Sequence, residues 1–262
     1  MYAHHERVIQ RLVERFKDDP RFPALIVGGS IAKGREKADS DVDILLVATD
    51  EEFARRLREV DMHYVDLEIA DYPGGYVEGK VIDRQFLVDA ADHGSEPARA
   101  AFKGAFVAYS RIPDLEELLA GIPVYPERDR AEKIRAFYIQ LDAASRWFMP
   151  DAEKRDDSYL RAWAAATSVF YGCRLILAHN RILYPWHKWL LHEARNAPDK
   201  PADFIELAER LLREPSRETA TAFRDSVMGF RDWGVSWDKA VGRFILDIEW
   251  NWRDGRPPLA EW

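Results

Sequence analysis

The run Ala24-Leu25-Ile26-Val27-Gly28-Gly29-Ser30-Ile31-Ala32-Lys33-Gly34 is followed, after four residues, by Asp39-Ser40-Asp41-Val42-Asp43-Ile44-Leu45-Leu46-Val47. These two pieces decide how the chain is read. An apolar strand-like run enters a glycine pair carrying a hydroxyl, and a second apolar run leaves from two alternating acids. In a strand, residues i and i+2 share a face, so Asp41 and Asp43 aim their carboxylates together. Two close carboxylates repel unless a cation separates them, and an oxygen-only ligand pair suits Mg²⁺ or Mn²⁺. Gly28 and Gly29 let the backbone approach a ligand closely. Their N–H groups, with the hydroxyl of Ser30, offer a cradle for an anion. A phosphate cradle and a divalent-metal clamp a dozen residues apart suit a nucleoside triphosphate.

The pattern Gly29-Ser30-x-x-x-Gly34 with Ser40-Asp41-x-Asp43 and its apolar tail resembles the signature of the DNA polymerase β-like nucleotidyltransferase superfamily. That group includes aminoglycoside and minimal nucleotidyltransferases. The likeness covers about 25 residues closely and roughly the first 110 by order of elements. It implies an α+β fold, with an N-terminal mixed sheet flanked by helices, and transfer of a nucleoside monophosphate from a triphosphate with release of pyrophosphate. By the same resemblance, Asp41 and Asp43 hold Mg²⁺ or Mn²⁺, and Gly28, Gly29, Ser30 and Ser40 hold the nucleotide. A third carboxylate from a later strand binds metal or takes the acceptor proton. Asp66, in the apolar-acid-apolar context Val65-Asp66-Leu67, is expected in that role, with Glu68 in reserve.

The chain has 262 residues, 47% hydrophobic and 32% charged, enough for two modest domains. A net charge of −8 argues against a duplex nucleic-acid binder. The single Cys173 excludes an internal disulfide and a multi-cysteine zinc site. No apolar h-region or 18-residue apolar run is present, so no membrane association and a cytoplasmic location are expected. Nine tryptophans leave room for an exposed apolar patch and a homodimer.

Along the chain, Val8, Ile9, Leu12, Val13 and Phe16 mark an amphipathic helix over 3–17. Strands follow at about 24–27 and 42–48, with a short helix at 31–36 between them. Thr49-x-x-Glu52 has the form of a capping box opening a helix to about 60. A third strand is expected over 63–70, neighbouring the Asp-x-Asp strand, and residues 71–81 read as a glycine-rich loop or hairpin. Helices near 84–93 and 95–103, a strand over 105–109 and a short helix from Pro113 complete a domain of residues 1–122.

The linker Ile122-Pro123-Val124-Tyr125-Pro126 leads to a helical bundle over 127–262. Its helices are expected at 129–149, stopped by Pro150, then 158–180, 185–195, 201–212, 216–233 and 236–252, before an extended tail. Between two of them lies Asn180-Arg181-Ile182-Leu183-Tyr184-Pro185-Trp186-His187-Lys188-Trp189-Leu190. Part of it is similar to the aromatic-Pro-x-x-Lys-Trp-Leu pattern of the helical domain that accompanies some bacterial nucleotidyltransferases. There Lys188 is a candidate triphosphate ligand and an aromatic a stacking surface. Arg174-x4-His179 resembles the Arg-to-His spacing of helical RNase partners of minimal nucleotidyltransferases, but Leu175 departs from that motif.

The reading is a metal-dependent transferase with ATP as the expected donor. The acceptor is a hydroxyl on a small molecule, an antibiotic included, or on a protein. The alternatives are a non-catalytic nucleotide-binding regulator and a toxin–antitoxin component.

Overall fold

The computed structural model describes residues 1–236, 239–255 and 258–262. The chain divides into two compact units, Met1–Val124 and Tyr125–Trp262.

The first unit is built on a five-stranded mixed sheet, β1 (Ala24–Val27), β2 (Val42–Val47), β3 (His63–Asp66), β4 (Val77–Ile82) and β5 (Phe106–Ser110), in the order β3-β4-β2-β1-β5. β2 runs parallel to β4, while β1 is antiparallel to β2 and β5, and β3 antiparallel to β4. β1 is buried on both faces, which explains its unbroken Ala-Leu-Ile-Val run. α1 (Ala3–Phe16) turns its buried stripe of Val8, Ile9, Leu12 and Phe16 onto the face formed by Val42, Ile44, Leu46, Val77 and Val81. The opposite face, with Ala24, Ile26, Val47 and Ile82, packs against Leu87 and Ala90 of α4 (Arg84–His93) and Leu115 and Leu119 of a later helix. The α+β class expected from the sequence is what the structure has.

Between β1 and β2 lies a single helical turn, α2 (Gly29–Ala32). After β2, α3 (Asp50–Glu59) is capped by Thr49, whose hydroxyl accepts from the Glu52 N–H at 3.4 Å. Glu52 does not complete the box. Its buried carboxylate instead accepts from Arg55 at 2.8 Å and Arg56 at 2.7 Å, and the two guanidinium groups hold its pKa down at about 2.

Two expectations fail at the sheet edge. The strand expected over 63–70 stops at Asp66, because the Asp66 carboxylate accepts the N–H groups of Glu68 and Ile69, each at 2.9 Å, and turns the chain. The loop or hairpin expected over 71–81 ends in β4, which inserts between β3 and β2, so β3 does not neighbour the Asp-x-Asp strand. Gly74, Gly75 and Gly79 hide the alternation Val77-Glu78-Gly79-Lys80-Val81, which is half-buried as a strand should be.

The remaining helices of this unit are α5 (Glu96–Ala101), capped by Ser95, and α6 (Leu115–Gly121), which starts two residues beyond Pro113. The helical unit comprises α7 (Arg130–Ala143), α8 (Met149–Arg155), α9 (Ser158–His179), α10 (Leu190–Asn196), α11 (Phe204–Arg213), α12 (Arg217–Gly229) and α13 (Ala240–Phe244). Pro150 does not stop a helix. A π-helical turn, Ala144–Phe148, joins α7 to α8, and Pro150 lies directly beyond it, at the start of α8. α9 lies at the centre, with thirteen buried residues including Cys173, whose thiol is pushed well up by burial.

Trp237 and Asp238 of the helix expected over 236–252, and Pro257 of the expected tail, lie outside the described residues. Short 3₁₀ turns at Asn251–Asp254 and Leu259–Glu261 occupy described parts of the tail expected to be extended. Among the described residues no helix is long and apolar enough to cross a membrane.

Candidate active site

The glycine turn and Asp43 are built against each other. Gly28 donates its N–H to the Asp43 carbonyl at 2.9 Å, which closes the turn onto β2. Gly29 has φ +63°, and a Cβ placed there would lie 1.7 Å from Asp43 Oδ2. Only glycine meets both demands. The Ser30 N–H hydrogen-bonds the Asp43 carboxylate, and the Ser30 hydroxyl is a buried polar atom with no hydrogen-bond partner. An orphaned hydroxyl beside a carboxylate is costly unless a ligand uses it.

Asp43 is more than a turn-closing group. Burial pushes its carboxyl pKa up, and the charges of Asp41 and Glu78 push it further. The Ser30 N–H and Lys33 pull in the other direction without cancelling the shift. Asp41 accepts a hydrogen bond from the Tyr76 hydroxyl, which raises the phenol's pKa. Glu78 stands directly opposite Asp43 in the parallel β2·β4 register, so both side chains lie on one face. Glu78 also lies 3.4 Å from His63 Nε2 and keeps 48% of its side chain exposed.

Glu78 and Tyr76 were not anticipated from the sequence. Their signal was present: Val77-Glu78 is the same apolar-acid step as Val65-Asp66, embedded in a strand obscured by glycines.

Asp66 does not join this group. Its register partner is Val77, and that of Val65 is Glu78, so Asp66 faces α1 on the opposite side of the sheet from Asp43 and Glu78. There it forms an ion pair with Arg15 of α1. Burial alone would raise the Asp66 pKa, but the N–H groups of Glu68 and Ile69 and the Arg15 guanidinium outweigh it, and the net shift is downward. The third carboxylate on the Asp43 face is Glu78. Glu68, the reserve, lies in the turn beyond β3, outside the sheet.

The Ser40 hydroxyl accepts the Lys37 N–H at 2.9 Å, and its carbonyl accepts the Tyr72 hydroxyl at 2.7 Å. Both bonds shape the turn before Asp41. Lys188 is exposed in a 3₁₀ turn, His187–Trp189, of the helical unit. The Arg174-to-His179 spacing does not make a nuclease pair. Arg174 is 1% exposed and stacks between Phe137 and Tyr184, each centroid 4.4 Å away. His179 bonds Asp199 through Nε2 at 2.5 Å and accepts from Arg231 at Nδ1 at 2.7 Å.

The family model of the nucleotidyltransferase domain matches residues 6–90. This span holds the glycine turn, Asp41, Asp43 and Glu78. The match lies within the first unit. Among solved structures, the chain is similar to a nucleotidyltransferase-like protein from Exiguobacterium sibiricum 255-15. The two are 14% identical, with a TM-score of 0.49, over 97% of this chain and 82% of that one. No curated protein matches by sequence.

The site sets three carboxylates, Asp41, Asp43 and Glu78, within electrostatic reach of one another, with Lys33 as a nearby cation. Among the described residues no group of three or more histidine, cysteine or acidic side chains is arranged to hold a metal ion. The fit to a hard divalent cation rests on the oxygen-only donor set and on the burial, joined by the charges of Asp41 and Glu78, that raises Asp43.

Proposed function

We propose that the protein transfers a nucleoside monophosphate from a triphosphate, ATP first among the candidates, to a hydroxyl of a small-molecule or protein acceptor. The observation that carries this reading is Asp43, paired in register with Glu78 and within electrostatic reach of Asp41, beside a glycine turn whose Ser30 hydroxyl is buried without a partner. In the proposed reaction the acceptor oxygen attacks the α-phosphorus as the bond to the bridging oxygen of pyrophosphate breaks. The acceptor proton goes to a carboxylate, and pyrophosphate departs.

Asp41, Asp43 and Glu78 would hold Mg²⁺ or Mn²⁺, which supplies charge neutralisation for the attacking and leaving oxygens when bound. Ser30 and the backbone of Gly28 and Gly29 would orient the outer phosphates. Glu78, the more exposed acid, is suited to receive the acceptor proton and pass it toward His63 and solvent. Lys33 would share the neutralisation of the triphosphate.

The test is pyrophosphate release from each of four ribonucleoside triphosphates with Mg²⁺ against a panel of hydroxyl-bearing acceptors. Release that depends on acceptor and metal, and that disappears in Asp43→Asn, supports the reading. Tight triphosphate binding with no release under any acceptor would replace it with a nucleotide-binding regulator.

A further inference from the structure

The helical unit contains a hollow of about 730 Å³ whose lining belongs wholly to that unit. Its size is in the range of small-molecule pockets, which run from about 300 to 1,000 Å³. Aromatic rings supply much of the wall: Phe148 meets Trp163 edge to face, with centroids 5.1 Å apart at 87°, and Phe170 stacks obliquely on His187 at 5.2 Å. The π-helical turn Ala144–Phe148 matters here. Such turns add a residue to the helix and re-aim side chains, and they collect at functional sites.

One buried polar atom in this apolar lining is left without a partner. Gln140 is 5% exposed, lines the hollow, and its buried Nε2 has no hydrogen-bond partner. Tyr171, 6% exposed, also lines the hollow, and among the described residues its hydroxyl makes no hydrogen bond. A buried donor without a partner costs on the order of 1–3 kcal/mol, so native interiors hold few of them. A ligand that supplies the missing acceptor removes that cost.

Among the described residues the lining contains no Asp, Glu, Lys or Arg. A triphosphate or a polycation would lose its hydration there and meet no charged side chain on the wall itself. We infer that this hollow is a binding site for a neutral, ring-bearing small molecule with a carbonyl or similar acceptor for the Gln140 amide and a hydrogen-bonding group for Tyr171. The inference goes beyond nucleotidyl transfer and does not depend on it.

The experiment is a fluorescence titration of the full chain with the neutral probe N-phenyl-1-naphthylamine, followed by displacement with paired naphthalenes. Saturable binding to one site is expected. Ala166→Trp, at an exposed position on the rim, and Leu212→Trp, 40% exposed on another wall, should each weaken it at least about tenfold while melting as wild type. If one variant fails to fold, the other carries the test. 2-Acetylnaphthalene should displace the probe several-fold better than 2-ethylnaphthalene, and Gln140→Leu should erase that preference. Non-saturating binding, or binding that survives both tryptophan substitutions, overturns the inference. So would a homodimer that Ala166→Trp dissociates while no probe binds, which would assign the hollow to a second copy of the chain.

Discussion

Asp43 and Asp66 are both acids of one small sheet, and their surroundings are opposite. Asp66 faces α1, where a guanidinium and two backbone N–H groups neutralise it and hold its pKa below the ordinary carboxylate range. Asp43 faces the glycine turn, where burial and two neighbouring carboxylates raise its pKa. A fold that needs an acid only for stability satisfies it. An acid left in excess of its partners, beside an orphaned hydroxyl, is held ready for something the chain itself does not supply. Glu52 is a second case of the satisfied kind, clasped by Arg55 and Arg56.

The largest expected effect lies on the strained side. Asp43→Asn should reduce pyrophosphate release by about 10³-fold, the loss of several kcal/mol of charge stabilisation at the metal. The same change removes a repelled, half-buried charge while keeping an acceptor for the Ser30 N–H. A carboxyl with a raised folded-state pKa disfavours folding once it is ionised, so at neutral pH the variant should melt at or above the wild-type temperature. A variant that is both inactive and several degrees less stable would break the contrast.

Gly29→Ala tests the turn that brings Asp43 into place. The positive φ and the overlap with Asp43 Oδ2 predict a stability loss of about 1–3 kcal/mol in denaturant melts, with activity falling as well.

On the satisfied side, Asp66→Asn should cost about 1–2 kcal/mol of stability with turnover nearly unchanged. Glu52 sharpens the comparison through pH. Its folded-state pKa of about 2 lies below the ordinary 4.5, so its contribution is complete above pH 4.5 and drains away as pH falls toward 2. Acid melts of wild type and Glu52→Gln should therefore converge over that window. Curves that stay parallel would mean that Glu52 is not the titrating group.

The half of the site lying in one continuous stretch was legible in the sequence, because Gly28 to Asp43 is local and its spacing translates directly into a turn and a strand. The third carboxylate was not. Which acid shares a face with Asp43 depends on which strand inserts beside β2, a long-range choice that alternation alone does not encode. Val65-Asp66-Leu67 and Val77-Glu78-Gly79 carry equivalent local signals, and the parallel β2·β4 pairing selects the second. Similarly, Pro150 reads as a stop, and only the π-helical turn before it shows that the chain continues as helix. In the helical unit, the apolar runs announced helices well, but a hollow between them is a property of packing and leaves no periodic trace.

The most direct measurement is the affinity for Mn²⁺ in the presence of ATP, read from the free-ion EPR signal, for wild type, Asp43→Asn, Glu78→Gln and Asp66→Asn. It needs no knowledge of the acceptor. The account predicts that Asp43→Asn and Glu78→Gln each weaken Mn²⁺ binding at least about tenfold, while Asp66→Asn stays within about twofold of wild type. An Asp66→Asn protein that loses Mn²⁺ as badly as Asp43→Asn, with Glu78→Gln unaffected, would contradict it.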